Sequence, residues 1–193
     1  MERSGGRWRR GTLAVREIWA ENPLTGERQT VLEGDEGMVE VPDVPVTDQQ
    51  VRQRVSARLE NGSDGRLHLR FLTPTRLVES GQLVKPHAFR FKPLLQRLLD
   101  RLEALSRDFS DTKLSVDFAG LVAASERVRV VDNRLWWEEL RSYSTRRRAD
   151  SPTSGLLGSV ALAADDWSPF LPYLVWGQFT HVGKDAVKGN GAY

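Results

Sequence analysis

The sequence of 193 residues contains no cysteine. It therefore excludes a disulfide framework, a thiolate metal site and a cysteine nucleophile. No apolar run approaches the roughly 20 residues that a membrane-spanning helix needs. The N-terminal residues are not followed by the apolar stretch that is typical of a signal peptide. We therefore expect a cytoplasmic protein without a membrane partner. The rest of the composition, with 39% hydrophobic and 28% charged residues, is that of an ordinary soluble domain.

Lysine and histidine are also scarce. Only five of the 28 basic residues are lysine, which leaves 23 arginines, and 26 acidic residues reduce the net charge to +2. Guanidinium groups suit phosphates and bases, but a GC-rich genome produces the same excess, so composition leaves both explanations open. The three histidines, His68, His87 and His181, lie far apart without acidic partners at metal-ligand spacing. We therefore expect neither a metal site nor a cofactor.

The first 65 residues have the pattern of strands and turns. Strand-like runs at 13–18 and 30–32 flank a strong turn signal at 22–26. Apolar and polar residues alternate over 55–59 and again over 67–71, which predicts a β-hairpin around the turn between them. We expect residues 1–65 to form a β-rich segment separate from the rest of the chain.

Residues 66–193 show a different order of elements. Leucines recur on one face of a predicted amphipathic helix that starts near Pro93, and a shorter helix is predicted over 118–125. An extended strand or ribbon follows over 128–143, with a turn at Asp132–Asn133, and another strand covers 157–162.

A second long helix is predicted to start at Ser168 and Pro169, before a Gly-rich loop at 183–191 and a stub of strand. This order predicts an α+β fold, namely a ferredoxin-like (RRM-like) βαββαβ domain over 66–193. Its antiparallel sheet is covered by two helices on one face and open on the other. Extra β-hairpin segments precede this domain.

The Gly-rich loop contains Gly183, Lys184, Lys188, Gly189 and Gly191. Its Lys precedes the later glycines, the reverse of a nucleotide-binding P-loop, so ATP hydrolysis is not supported. Glycine amides beside lysines can bind a phosphodiester. The alternative is a plain loop whose glycines only supply positive φ angles, and spacing alone leaves the two explanations open.

Two further basic elements suit a nucleic acid. His68 and Arg70 alternate with apolar residues and should point to the open face of the sheet. Arg146, Arg147 and Arg148 follow the aromatic residues Trp136, Trp137 and Tyr143, an arrangement typical of single-stranded RNA binding. Charges on an edge strand that prevent aggregation, and aromatic rings that pack the core, are the alternatives. A core position is favoured for at least one of the two Trp residues.

Three segments, in this order and spacing, resemble a known family. They are the run Leu69-Arg70-Phe71-Leu72-Thr73-Pro74-Thr75-Arg76-Leu77, the helix from Phe91, and the tail with His181-Val182-Gly183-Lys184 and Gly189-Asn190-Gly191-Ala192-Tyr193. Together they resemble the C-terminal domain of CRISPR-associated precursor-crRNA processing endoribonucleases of the RAMP superfamily. The resemblance spans 66–193, with looser similarity over 6–32.

The resemblance implies two ferredoxin-like domains in tandem with RNA bound across them. Residues 1–65 would then be a remnant or linker of an N-terminal domain, and most of that domain would be absent from this chain. The implied partners are CRISPR repeat RNA or precursor crRNA, together with other CRISPR-associated effector subunits or a separate N-terminal half.

The reaction implied by the resemblance is metal-independent RNA cleavage. The ribose 2′-OH attacks the adjacent phosphate and leaves a 2′,3′-cyclic phosphate and a 5′-OH. In many members the catalytic His lies in the N-terminal domain. In this chain His181 is the candidate beside the Gly-rich loop, with Lys184 and Lys188 to stabilise charge, and a structural role at the helix end is its alternative. A non-catalytic RAMP subunit that binds crRNA in an interference complex, and a protein-interaction module, are the alternative functions.

Overall fold

The computed structural model describes residues 3–4, 7–8, 14–34, 38–61, 65–144 and 149–193. The chain divides into two compact units, Met1–Arg54 and Val55–Tyr193. Among the described residues, no helix combines the length and the hydropathy needed to cross a lipid bilayer.

Among its described residues, the first unit contains two pairs of antiparallel strands. Their strands are β1 (Arg3–Ser4), β2 (Arg7–Trp8), β3 (Glu17–Glu21) and β4 (Arg28–Glu33). The predicted turn at 22–26 is confirmed, and buried Asn22 organises it. Its Oδ1 accepts the Leu24 amide at 3.0 Å, and its Nδ2 donates to the Pro45 carbonyl at 2.7 Å and to Gln50 Oε1 at 3.0 Å.

The strand predicted over 55–59 is wrong, because these residues belong to helix α1 (Asp48–Glu60). The Gln50 side chain accepts the Thr47 amide at 2.9 Å, and Thr47 Oγ1 accepts the Gln50 amide at 3.4 Å. This reciprocal pair is a capping box, which starts a helix. Val51 and Val55, four residues apart, are both buried, as the helical period requires.

The second unit contains seven strands, three α-helices and two short 3-10 helices (Pro86–Ala88 and Ala186–Lys188) among its described residues. The strands are β5 (Arg66–Thr75), β6 (Val78–Glu79), β7 (Gln82–Leu83), β8 (Arg129–Glu138), β9 (Arg141–Ser144), β10 (Ala149–Pro152) and β11 (Gly155–Ala163). The helices are α2 (Phe91–Phe109), α3 (Phe118–Ser125) and α4 (Leu171–Thr180). The predictions of a long leucine-rich helix and of a helix over 118–125 are confirmed.

The central sheet has the ferredoxin-like order. Strand β11 lies between β5 and β8 and is antiparallel to both. The C-terminal tail takes the fourth position, beside β5, where the Leu72 amide donates to the Ala192 carbonyl at 2.8 Å and the Ala192 amide donates to Thr73 Oγ1 at 2.9 Å. The predicted terminal strand is thus reduced to this short pairing. With α2 and α3 after β5 and α4 after β11, the predicted βαββαβ fold is confirmed.

The core lies between this sheet and the helices. Leu69 and Phe71 of β5 are buried, whereas His68 and Arg70, on the alternate positions, are exposed. Helix α2 contributes side chains with no exposed surface, each of which stabilises the fold by about 1.5–3 kcal/mol; they are Phe91, Leu94, Leu95, Leu98 and Leu99. Two helices therefore cover one face of the sheet and leave the other open.

Two predicted boundaries differ from the structure. The sequence predicts a turn at Asp132–Asn133, but strand β8 continues through these residues. A register shift makes this possible: Ala161 pairs with Asp132 and Leu162 pairs with Val130, so that Val131 is accommodated as an extra residue. Asn133 binds within the fold, since its Nδ2 donates to the Pro86 carbonyl at 2.8 Å. Helix α4 begins at Leu171, after the predicted Ser168, whose amide donates to Asp166 Oδ1 at 2.8 Å in the preceding turn.

Two glycines of the tail should differ sharply in their tolerance of alanine. A Cβ on Gly191 (φ +81°) would lie 1.9 Å from the Val182 carbonyl oxygen, whereas one on Gly189 (φ +85°) meets nothing within 4 Å. We expect Gly191→Ala to lower the free energy of unfolding by about 3 kcal/mol or more and Gly189→Ala by about 1–2 kcal/mol. Urea denaturation measures both, and equal losses would contradict the close packing of Gly191.

Candidate nucleic-acid interface

The Gly-rich loop (residues 183–191) closes on itself and on the end of β5. The Lys184 amide donates to the Arg76 carbonyl at 2.9 Å, and the Val182 amide donates to the Gly191 carbonyl at 3.0 Å. A Cβ on Gly183 (φ +90°) would lie 2.6 Å from the Arg76 carbonyl oxygen. Gly183 and Gly191 are therefore required for the close approach of two backbones.

Four amides of the loop donate hydrogen bonds inside the protein. Besides the Lys184 amide, those of Ala186, Lys188 and Gly189 donate to the Gly183, Asp185 and Ala186 carbonyls at 3.4, 2.9 and 3.1 Å. These four amides cannot also donate to an anion without breaking those bonds.

One carboxylate organises the positive charge of the loop. Asp185 Oδ1 accepts from Lys188 Nζ at 2.7 Å, and Asp185 Oδ2 lies 3.3 Å from Arg76 Nη1. The Arg76 and Asp185 side chains are only 11% and 13% exposed, whereas Lys184 and Lys188 are exposed. The hydrogen bond from Lys188, helped by the charges of Lys188, Arg76 and Lys184 and opposed by burial, lowers the pKa of the Asp185 carboxyl. At neutral pH the cluster of three cations and one anion is therefore positive.

His181 lies between α4 and the Gly-rich loop. It is half-buried, and its amide donates to the Gly177 carbonyl at 2.9 Å as the last hydrogen bond of the helix. Its backbone, at φ 60° and ψ 169°, has a conformation that is almost restricted to glycine and costs about 1–3 kcal/mol in other residues. A histidine held in this strained conformation beside the lysine-rich loop is a candidate functional residue.

The uncovered side of the sheet forms a second basic surface, which we call the open face. Pairing across the sheet gives its rows, since paired residues of neighbouring strands share a face. Its residues are Arg66, His68, Arg70 and Leu72 of β5, Leu157, Ser159, Ala161 and Ala163 of β11, and Arg129, Asp132, Arg134 and Trp136 of β8. His68 and Arg70 are exposed here, as predicted, and a row of Arg70, Ser159 and Arg134 crosses the sheet.

The remaining predicted residues have different positions. Arg146, Arg147 and Arg148 lie outside the described residues. Trp137 is half-buried with Lys85 Nζ 3.5 Å from its ring centroid, and Trp136 is 51% exposed, so neither is a fully buried core residue.

Sequence reasoning missed Arg76, Asp185 and Arg134. The signal for Asp185 was its position directly after Lys184, inside the Gly-rich loop. The loop and the open face are joined through β5, along which Arg70 and Arg76 lie roughly 20 Å apart at the usual rise of a strand. The structure therefore places the Gly-rich loop at the C-terminal end of β5 and His68 and Arg70 in the middle of the same strand.

Replacing Asp185 with Asn should destabilise the second unit. Asn tolerates the left-handed φ of 70° but leaves the enclosed Arg76 guanidinium without this anion, so we expect the free energy of unfolding to fall by about 1–3 kcal/mol at pH 7. Folding lowers the pKa of Asp185. The contribution of its carboxylate to the free energy of unfolding is therefore complete above about pH 5 and is lost as the pH falls below about 4.

The measurement is urea denaturation of both proteins from pH 7 to pH 3. The control is Asp165→Asn, an exposed carboxylate in the loop before α4, which should change stability by less than about 0.5 kcal/mol. A difference for Asp185→Asn that stays constant down to pH 3 would show that the ionised carboxylate is not the cause.

Comparison with known proteins identifies related structures. Residues 69–193 match the family model of the CRISPR-associated endoribonuclease Cas6. A product complex of Cas6 (TTHB231) from Thermus thermophilus is 18% identical with a TM-score of 0.50, over 67% of this chain and 50% of that chain. A partial Cas6-RT-Cas1–Cas2 complex is 14% identical with a TM-score of 0.59, over 86% of this chain and 29% of that chain.

A third solved structure, a product complex of Cas6 (TTHA0078), is 26% identical with a TM-score of 0.41, over 70% of this chain and 53% of that chain. No curated protein matches the chain. This chain thus spans about half the length of the first two Cas6 chains it matches. The matches at TM-scores of 0.50 and 0.59 agree with the ferredoxin-like fold described above. Since the family model covers nearly all of the central sheet, its helices and the Gly-rich loop, the chain belongs to the CRISPR-associated endoribonuclease Cas6 family.

Proposed function

We propose that this chain binds CRISPR repeat RNA and takes part in its endonucleolytic processing without a metal ion. The observation that carries the proposal is the pair Lys184 and Lys188, exposed on a loop that Asp185 and Arg76 hold in place, in a chain of the Cas6 family. Exposed ammonium groups on a loop that hydrogen bonds hold to the rest of the fold suit a phosphodiester backbone, since the loop has its position before the RNA arrives.

The cleavage needs three kinds of group. A base removes the proton of the 2′-OH as its oxygen bonds to phosphorus, an acid protonates the leaving 5′ oxygen as its bond to phosphorus breaks, and cations stabilise the phosphorane. Histidine titrates near neutral pH and suits proton transfer. We assign Lys184 and Lys188 to the phosphorane charge and His181 to RNA contact or proton transfer.

The length of the chain bears on its partners. Because it spans about half of the Cas6 chains it matches, a separate N-terminal half or another CRISPR-associated subunit would complete the RNA-binding surface. In this proposal residues 66–193 are the C-terminal RNA-binding domain, and residues 1–65 are the remnant or linker of an N-terminal domain.

The binding part of the proposal predicts a steep dependence on salt. The logarithm of the association constant for repeat RNA should fall linearly with the logarithm of salt concentration, and replacing Lys184 and Lys188 with Ala should reduce the slope by about 2. Lys113→Ala, an exposed lysine in the loop between α2 and α3, should leave the slope unchanged. Fluorescence anisotropy over a salt series measures this, and weak binding that is insensitive to salt would favour a protein-interaction module instead.

The cleavage part predicts a cut in EDTA. End-labelled repeat RNA from the chain's own locus should be cut once, leaving a 2′,3′-cyclic phosphate, and His181→Ala should abolish the cut. His181→Gly should lose cleavage as well. Its free energy of unfolding should exceed that of His181→Ala by about 1–2 kcal/mol, because glycine relieves the backbone strain.

The two His181 variants separate chemistry from folding. Loss of cleavage in the stabilised Gly variant cannot be attributed to unfolding. Full cleavage by both variants would exclude a catalytic role for His181. Salt-sensitive binding without any cut by the wild-type chain would favour the non-catalytic RAMP subunit, or catalytic residues on another chain.

A further inference from the structure

The open face carries a large aromatic side chain that is half exposed. Trp136 of β8 is 51% exposed, whereas Trp167, which packs beside Phe91 in the core, is only 5% exposed. The indole N–H of Trp136 donates to Glu138 Oε2 at 3.0 Å. The ring is therefore held in one orientation although half of its surface contacts water.

Strand β11 makes room for this ring. A Cβ on Gly158 would lie 2.6 Å and 2.7 Å from Cζ3 and Cε3 of Trp136, and 2.3 Å from the Arg134 carbonyl oxygen. Gly158 also has a φ of +102°, which side chains rarely adopt. Only glycine fits here, so the indole packs against bare backbone and presents its remaining surface outward.

The charges around Trp136 fit a polyanion. Arg134 precedes it by two residues on the same face, and Arg70 lies across the sheet in the row of Ser159. Arg66 and Arg129 lie opposite Ala163 at the other end of the face, and the small residues Ser159, Ala161 and Ala163 of β11 lie between the two arginine-bearing strands. Among the described residues, Asp132, 2.9 Å from Arg134, and Glu138, which binds the indole, oppose this charge.

An aromatic ring among guanidinium groups matches a nucleic acid strand in particular. A base stacks on an exposed aromatic ring whatever its sequence, and guanidinium groups bind the flanking phosphates. The bases of a duplex are stacked on one another and cannot reach a ring that packs against a sheet. The arrangement therefore fits unpaired nucleotides.

We propose that Trp136 is a stacking platform for one unpaired base of the bound RNA, with Arg70 and Arg134 on the neighbouring phosphates. This inference rests on the proposed function and deepens it, since it assigns a single-stranded part of the RNA to the open face.

The test compares variants at two tryptophans of similar exposure. Trp136→Ala should weaken binding of single-stranded repeat RNA about tenfold, in the range found for loss of one stacked base, and leave the salt slope unchanged. Trp136→Phe should retain most of the affinity and Trp136→Leu should not, since leucine supplies apolar area without a π face. Trp19→Ala, a 47% exposed tryptophan on the β3–β4 hairpin, should bind as the wild type does.

Abasic RNA makes the test independent of how well the variant folds. In a series of RNAs with one abasic nucleotide each, one position should weaken the wild type about tenfold and leave Trp136→Ala no weaker than on intact RNA. The proposal is overturned if no abasic position is coupled to Trp136, or if Trp136→Leu binds as tightly as Trp136→Phe, which would indicate an apolar docking surface. If the wild type binds no RNA, the proposed function fails first and this inference falls with it.

Discussion

The hydrogen bond from the Lys184 amide to the Arg76 carbonyl is the contact on which the position of the Gly-rich loop depends. It fixes the Gly-rich loop to the end of β5, and the same strand then carries Arg70 and His68 across the open face. Gly183 has no side chain because one would collide with this carbonyl. The path of the loop is thus a consequence of backbone contact, and the positions of its lysines follow from that path.

One carboxylate, that of Asp185, sets the positions of the positive charges at the loop. Asp185 reduces the local charge, yet it brings Arg76 and Lys188 to one carboxylate and reduces the freedom of the loop. Flexible cations lose side-chain entropy when they bind a phosphate, at a cost of up to about 2 kcal/mol for each lysine. A loop that is already ordered avoids part of that cost. If the proposed function holds, this order is how a chain with a net charge of only +2 presents a site for a polyanion.

The sequence predicted elements whose signal is local and failed where the deciding contact is distant. The leucines of α2 and the alternation of Leu69 and Phe71 with His68 and Arg70 are local signals. Together with the order of the other elements they predict the ferredoxin-like domain. The alternation of apolar and polar residues over 55–59 is typical of a strand. The signal for a helix is the capping box of Thr47 and Gln50, which lies several residues earlier, outside the alternating segment. No local pattern could pair Arg76 with Asp185, which lies 109 residues away, or show that Gly158 makes room for Trp136.

The two basic surfaces would bind RNA through different interactions, namely ionic attraction at the Gly-rich loop and base stacking on the open face. Ammonium groups at the Gly-rich loop attract any phosphate, and that attraction weakens as salt displaces it. The proposed stacking on Trp136 requires an unpaired base and, because it involves no ion pair, should depend little on salt. Because β5 is a continuous strand, the spacing between the two surfaces is fixed. An RNA with a backbone suited to the loop and an unpaired base at the right distance would engage both, so geometry can select an RNA without reading its sequence.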